Sequence, residues 1–137
     1  MQTTNLTIKK DYLTINLVHP DDENRVVSLQ FEYDDKNLLS FKQKMESSVK
    51  SIEEIDKKML KAETDEEYIN SLDEALEKFY DNIFCVGTYE KVKSIQKSVA
   101  NRRSLVSDLV FTITSMLNNL KREQEESEAE FYAADQE

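Results

Sequence analysis

The sequence has few residues that break helices or cross-link the chain: one glycine, one proline and one cysteine among 137 residues. Glycine and proline form tight turns, so their scarcity favours long helices over a sheet with many hairpins. A single cysteine excludes an internal disulfide and a cysteine pair for zinc. The sequence also has one histidine and no glycine-rich loop that would hold a phosphate. We therefore expect no metal, no cofactor and no enzymatic activity.

Long apolar runs and clusters of basic residues are also missing. The apolar runs are far shorter than the roughly 20 residues of a membrane span, and the polar start MQTTNLTIKK is unlike a secretory signal. The net charge is −10, and residues 121–137 carry two basic against seven acidic side chains. Nucleic-acid binding normally needs a basic face. These features predict a cytoplasmic protein with neither a nucleic acid nor a membrane as partner.

Two segments near the N-terminus alternate apolar and polar residues, which is typical of β-strands with one buried face. They are DYLTINLV and RVVSLQFEY, and the HPDDEN between them predicts a turn. Residues 5–9, NLTIK, are a candidate third strand. Because an isolated hairpin is only marginally stable in water, we expect helices or a partner to cover its apolar face.

After the strands, apolar residues recur every three or four positions, which predicts amphipathic helices. Asp35 is the expected N-cap of a first helix over about residues 36–62. Thr64 and Glu67 form a capping-box pattern that opens a second helix, which should end near Phe84.

A third, short helix is predicted to start at Thr88, and a fourth at Ser98 or Asn101. The expected fold class is therefore α+β, mostly α: a small N-terminal antiparallel β-sheet of two or three strands packed on a bundle of three to four helices. We expect this to be one domain.

The predicted domain spans residues 1–126, with the β segment in residues 1–34 and the helical part in residues 35–126. Residues 127–137 form an acidic tail that we expect to fray, because little apolar surface remains there to offset the loss of chain entropy.

The segment YDNIFCVGTYEKV contains both Cys85 and Gly87 and has two interpretations. As an active site, the Cys85 thiolate would need a base, and His19 is the only histidine. As a joint between two helices, Gly87 would adopt the left-handed conformation of a helix end. We favour the joint, shaped by Asp81, Cys85, Gly87 and Thr88, with Cys85 packed as a small apolar residue.

Five aromatic residues are candidates for a surface that binds a protein partner: Tyr80, Phe84, Tyr89, Phe131 and Tyr132. Aromatic side chains are enriched at the energetic centres of protein interfaces. The alternative is that they fill the core.

The stretch LEKFYDNIFCVGTYEKV resembles a pattern in tail assembly chaperone-like proteins of phages and prophages of Gram-positive bacteria. That pattern is two aromatics and an Asp, an apolar pair, a Gly, then Thr or Ala, and Glu-Lys-Ile/Val. The matching positions are Phe79, Tyr80, Asp81, Ile83, Phe84, Gly87, Thr88, Glu90, Lys91 and Val92. Cys85 departs from it, since the family often has a second glycine there.

The resemblance implies a non-enzymatic protein of the bacterial host cytoplasm that binds protein partners. Such proteins hold the tape measure protein soluble while tail tube subunits polymerise around it. Self-association is left open. The alternative is an acidic inhibitor that mimics DNA and binds a DNA-binding enzyme, against which the lysines interleaved with acids in residues 42–61 argue.

Overall fold

The computed structural model describes residues 2–59 and 65–135, and shows an antiparallel β-hairpin followed by four helices. The elements are β1 (Tyr12–His19), β2 (Asp22–Glu32), α1 (Asp35–Met59), α2 (Asp65–Ile83), α3 (Thr88–Ile95) and α4 (Val99–Asp135). The predicted α+β fold class is confirmed. Residues 5–9 lie outside both strands, so the described part of the sheet has two strands. The predicted cap at Thr64 lies outside the described residues.

The chain divides into two compact units, Met1–Arg102 and Arg103–Glu137. The first unit contains both strands, α1, α2, α3 and the first turn of α4. The described residues of the second unit, 103–135, are the remainder of α4. The predicted single domain over residues 1–126 stays a prediction.

The hairpin has one face towards the interior, as the alternating pattern predicted. In its antiparallel register Leu13 lies opposite Phe31, and Ile15 lies opposite Leu29. Side chains of paired residues point to the same face, so these four apolar residues form one continuous surface. The turn itself is only Pro20–Asp21, shorter than predicted, because β2 already begins at Asp22.

Helices of the first unit cover this apolar face. The ring of Phe31 on β2 meets that of Phe41 on α1 edge to face, with 5.0 Å between the ring centroids. Arg25 on β2 donates to the carbonyl oxygen of Ser94 on α3 at 3.4 Å. The buried apolar residues of this unit are Leu29, Phe31, Ile52, Leu72, Ala75, Leu76, Phe79, Tyr80, Ile83, Tyr89 and Val92. The expectation that helices cover the hairpin is thus confirmed.

Two helix starts show which polar residue acts as the cap. Asp34 Oδ1 accepts a hydrogen bond from the backbone N–H of Asn37 at 2.8 Å, so Asp34 rather than Asp35 caps α1. The prediction of Asp35 was wrong because it is already the first helical residue. Ser98 Oγ accepts from the N–H of Asn101 at 3.3 Å, so of the two predicted starts of α4 the structure has Ser98 as the cap.

The C-terminal part of α4 is helical well past the position where we expected fraying. The helix reaches Asp135, and every side chain of residues 121–134 is exposed. That this end frays stays a prediction. Its physical reason is that an exposed stretch of helix has little packing to stabilise it. None of the described helices combines the length and the apolar character needed to cross a bilayer.

The hairpin face gives a direct stability test. Leu29 is 1% exposed, so Leu29→Ala should lower the free energy of unfolding by about 2–5 kcal/mol through lost burial and a cavity. Gln30→Ala, on the exposed face of the same strand, should change it by less than about 0.5 kcal/mol. Urea unfolding followed by circular dichroism measures both, and equal effects would contradict the assigned register.

Candidate functional site

The joint between α2 and α3 is a four-residue turn that ends on the only glycine. Helix α2 ends at Ile83, α3 begins at Thr88, and Gly87 has φ 92° and ψ −7°. This is the left-handed conformation that residues with a Cβ atom adopt at a cost. Gly87 is left-handed as predicted, but it directly precedes α3 as its N-cap residue and does not cap the C-terminus of α2, which ends at Ile83.

Asp81 and Thr88 complete the joint through hydrogen bonds to the backbone. Asp81 Oδ1, in the last turn of α2, accepts from the N–H of Tyr89 at 3.0 Å. That N–H belongs to the first turn of α3 and has no partner within its own helix, so α2 supplies the cap. Thr88 Oγ1 accepts from the N–H of Cys85 at 3.3 Å. Thr88 thus closes the turn rather than capping its own helix.

Cys85 is exposed, which corrects the expectation that it is packed. Its Sγ is 3.3 Å from Thr88 Oγ1. The Nδ1 atom of His19 accepts from the N–H of Asp21 at 3.1 Å, within the hairpin turn. Among the described residues no hydrogen bond joins Cys85 to His19, and no group of acids, His and Cys has the arrangement of a metal site.

The structure separates the five candidate aromatic residues into two groups. Tyr80 and Tyr89 are 0% and 1% exposed, so they fill the core and do not contribute to a surface. This corrects their assignment as partner-binding residues. Phe84 is half-buried, whereas Phe131 and Tyr132 are 68% and 64% exposed. These three remain available to a partner.

A buried polar cluster lies beneath the joint, centred on the guanidinium of Arg102, whose side chain is 7% exposed. Its Nε donates to the hydroxyl of Tyr89 at 2.9 Å. Its Nη1 donates to the carbonyl oxygens of Gln96 and Lys97 at 2.9 and 2.8 Å. Its Nη2 lies 3.3 Å from Asp73 Oδ1. The cluster therefore connects α2, α3, the α3–α4 connection and the start of α4.

The two tyrosines extend this cluster into the core. Tyr89 donates its hydroxyl proton to Asp73 Oδ1 at 2.6 Å, while Tyr80 donates to the carbonyl oxygen of Arg102 at 2.8 Å. Their rings stack with centroids 5.4 Å apart. Lys93 Nζ approaches Asp73 Oδ2 at 3.7 Å from the partly exposed side. No described buried side-chain nitrogen or oxygen lacks a hydrogen-bond partner.

Both phenols in the cluster are held in the protonated form. Burial raises the pKa of Tyr80 well above its usual value near 10, and repulsion from Tyr89 adds to this. Burial also raises the pKa of Tyr89, helped by its hydrogen bond to the Asp73 carboxylate and opposed by Arg102. A phenol that stays protonated cannot act as a base at neutral pH. The hydrogen bonds of the cluster join α2, α3 and the start of α4.

Sequence reasoning did not identify this cluster, although one signal was present. Arg102 precedes Val106, Leu109 and Ile113 by four, seven and eleven positions, and thus lies on the apolar stripe of α4. A charged residue on such a stripe has to find buried partners. Nothing in the sequence, however, shows that Asp73 and Tyr89 are those partners.

A second feature of the first unit is a cavity of about 230 Å³ beside the joint. Four apolar side chains line it: Phe31, Phe41, Ile83 and Phe84. Glu32, Asn37, Lys44 and Asn82 also line it. The half-buried Phe84 thus lies where a ligand or partner side chain could contact it.

Comparison with known proteins does not assign the chain to a family. No protein-family model matches it, and no curated protein or solved structure is significantly similar to it.

The backbone of the joint predicts a specific cost for losing the glycine. Gly87→Ala should destabilise the protein by about 1 kcal/mol, because φ 92° strains any residue with a Cβ atom. No atom lies within 4 Å of an added Cβ, so the cost is in the backbone alone. Gly87→Asn should cost less, since Asn tolerates this conformation. Thermal unfolding measures both, with Val86→Ala at an exposed neighbouring position as the control, and no loss in Gly87→Ala would refute the strain.

The raised tyrosine pKa values predict a loss of stability at alkaline pH. Above pH about 10 the unfolded chain loses phenolic protons that Tyr80 and Tyr89 keep in the folded protein. The stabilisation is full below that pH and declines as the pH rises above it. In an absorbance titration of the phenolates, at least two of the six tyrosines should ionise only as the protein unfolds. If all six ionise reversibly near pH 10 with the helical signal intact, the buried cluster is wrongly described.

Proposed function

We propose that this protein is a non-enzymatic tail assembly chaperone-like protein of a phage or prophage. It would hold the tape measure protein, and contact tail tube subunits, in the cytoplasm of a bacterial host. The observation that carries the proposal is the pair Phe131 and Tyr132, which lies exposed on an acidic helix.

The resemblance to tail assembly proteins supports this proposal through the joint. Three of the matching residues have defined structural roles there: Asp81 caps α3, Gly87 takes the left-handed conformation and Thr88 closes the turn. A pattern that builds a helical joint is consistent with a family signature that carries no catalytic residues. The exposed Cys85 sits at the position where this chain departs from the pattern.

The surface of the C-terminal helix suits the binding of an unfolded or aggregation-prone client. Exposed apolar side chains of the second unit include Phe111, Phe131 and Tyr132. Exposed aromatic residues can bind apolar segments of a client. Six acids and no basic residue lie in residues 123–135, and like charges of this density keep a complex soluble.

The lysines on α1 argue against the DNA-mimic alternative. Such a protein needs acids at phosphate-like spacing on one face, whereas α1 carries Lys36, Lys42, Lys44 and Lys50 beside its acids. Salt-sensitive binding to a DNA-binding enzyme, with no binding to tail proteins, would favour it instead.

Truncation of the C-terminal segment tests the chaperone proposal. A variant lacking residues 121–137 should fold, because those residues contribute none of the buried side chains of the first unit. On coexpression with a phage tape measure protein it should leave more of that protein insoluble than the full chain does. The measurement is the soluble fraction of the tape measure protein and its copurification with this chain.

A matched control separates the aromatic pair from the acidic charge. Phe131→Ser with Tyr132→Ser keeps all the acids and should lose most of the copurification, whereas Phe111→Ser tests whether any exposed aromatic residue suffices. If the full-length chain neither copurifies with tail proteins nor keeps them soluble, the proposed function is wrong. If the truncated chain loses its remaining helical signal, the segment is structural.

A further inference from the structure

The two strands of the hairpin are covered unequally. Leu29 and Phe31 on β2 are buried, whereas the apolar side chains of β1 that share their face are only half-buried. These β1 residues are Leu13, Ile15 and Leu17. The ring contact from α1 and the hydrogen bond to α3 both reach the hairpin through β2. The apolar face is therefore incompletely covered on the β1 side.

Strand β1 also has a free backbone edge. The described part of the sheet has the order β1–β2, with no strand beyond β1. The backbone N–H of Tyr33 donates to the carbonyl oxygen of Asp11 at 2.9 Å, so these two residues form a hydrogen-bonded pair of the ladder. Bonded and non-bonded pairs alternate in an antiparallel ladder. The N–H and C=O groups of Thr14 and Asn16 therefore point away from β2, where another strand can bind them.

The chain carries a segment that suits this edge. Residues 5–9, NLTIK, which we call the N-terminal segment, have the alternation of a strand but lie outside the sheet. Their apolar side chains, Leu6 and Ile8, are 89% and 87% exposed. Residues 1–10 carry two lysines and no acid, whereas residues 11–32 carry five acids and one arginine. The segment thus matches the hairpin in both its apolar pattern and its charge.

The N-terminal segment is poorly placed to pair with β1 of its own molecule. The carbonyl oxygen of Lys10 accepts from the hydroxyl of Tyr33, whose N–H binds Asp11. A two-residue turn at Lys10–Asp11 would disrupt these bonds, and a turn at Ile8–Lys9 would take Ile8 out of the strand. Neither pair contains the glycine that such turns favour.

We infer that the N-terminal segment of one copy adds as an antiparallel strand to the free edge of β1 of a second copy, which returns the same contact. Because the segment directly precedes β1, the exchange can be reciprocal and gives a closed dimer with two-fold symmetry. Lys9 and Lys10 then lie near Asp11 of the second copy, at the start of its β1. The inference concerns the isolated protein and does not depend on the proposed function.

The exchanged strand extends the apolar face of the sheet. The chain bends at Asp11, so the alternation of the segment is independent of that of β1. Leu6 and Ile8 can therefore lie beside Leu13 and Ile15 of the second copy and complete their burial. Two five-residue contacts make a small interface, so we expect a dissociation constant between about 1 µM and about 1 mM.

Sedimentation velocity across this concentration range tests the association, with a thiol reductant present. The wild-type chain should change from monomer to dimer as its concentration rises. Leu6→Pro with Thr7→Pro should weaken the dimer at least about tenfold, because consecutive N–H groups point to opposite edges and one of the two prolines removes a bond to β1. Gln2→Pro with Thr3→Pro, outside the segment, is the matched control and should leave the dimer unchanged.

Charge variants test the antiparallel direction. Asp11→Lys should weaken the dimer, and so should Lys9→Glu with Lys10→Glu. A mixture of these two variants should restore association, because each segment then meets an opposite charge on the other copy. Circular dichroism checks that every variant keeps the fold.

Hydrogen exchange of individual amides locates the edge. Exchange at Thr14 and Asn16 should slow as the protein concentration rises, whereas Leu13 and Ile15, whose N–H groups already bind β2, should not change. The variant with Leu6→Pro and Thr7→Pro should lose this concentration dependence, since its edge is intact but its segment cannot pair. Adding the peptide TTNLTIKK to that variant should restore the slow exchange.

Three outcomes overturn the inference. One is a chain that stays monomeric up to about 1 mM. Another is a dimer that the proline variant leaves unchanged. The third is slow exchange of Thr14 and Asn16 at every concentration, which would place the third strand within its own molecule.

Discussion

The buried charge of Arg102 is the constraint on which the arrangement of the first unit depends. A guanidinium at 7% exposure is tolerable only if its donors are matched by acceptors. Those acceptors come from α2, α3 and the connection that follows α3. Breaking a buried ion pair by removing one partner typically costs about 3–5 kcal/mol, so these elements have to stay together for the charge to remain buried.

Tyr89 links this cluster to the joint. Its backbone N–H is held by Asp81 and its hydroxyl by Asp73, two aspartates that lie eight residues apart on α2. Tyr89 is thus held to α2 at both its backbone and its side chain. These two hydrogen bonds fix the orientation of α3, which is too short to have a long hydrophobic face of its own. Gly87, two residues before Tyr89, takes the left-handed conformation, which explains why the single glycine of the chain lies here.

Local patterns in the sequence predicted the local structure well. Alternation identified the inward positions of both strands, and the lone glycine located the joint. The long-range features were not predictable in the same way. The partners of Arg102 come from positions up to 29 residues away, and no periodicity reports such a pairing. Tyr80 and Tyr89 were surface candidates because aromatic side chains are enriched at interfaces. Both are buried instead, and internal acceptors satisfy their hydroxyls. Cys85 was expected to be packed because free cysteines are usually buried, whereas the path of the turn leaves it exposed.

The exposed position of Cys85 has a practical chemical consequence. With one thiol per chain, a disulfide between copies can join only two molecules, and such a covalent dimer would persist under dilution, unlike a reversible complex. The same thiol offers one attachment point per molecule for a maleimide dye, adjacent to Phe84 in sequence and thus beside the cavity that Phe84 lines. A fluorophore there would sense events at that cavity without any change to the residues that line it.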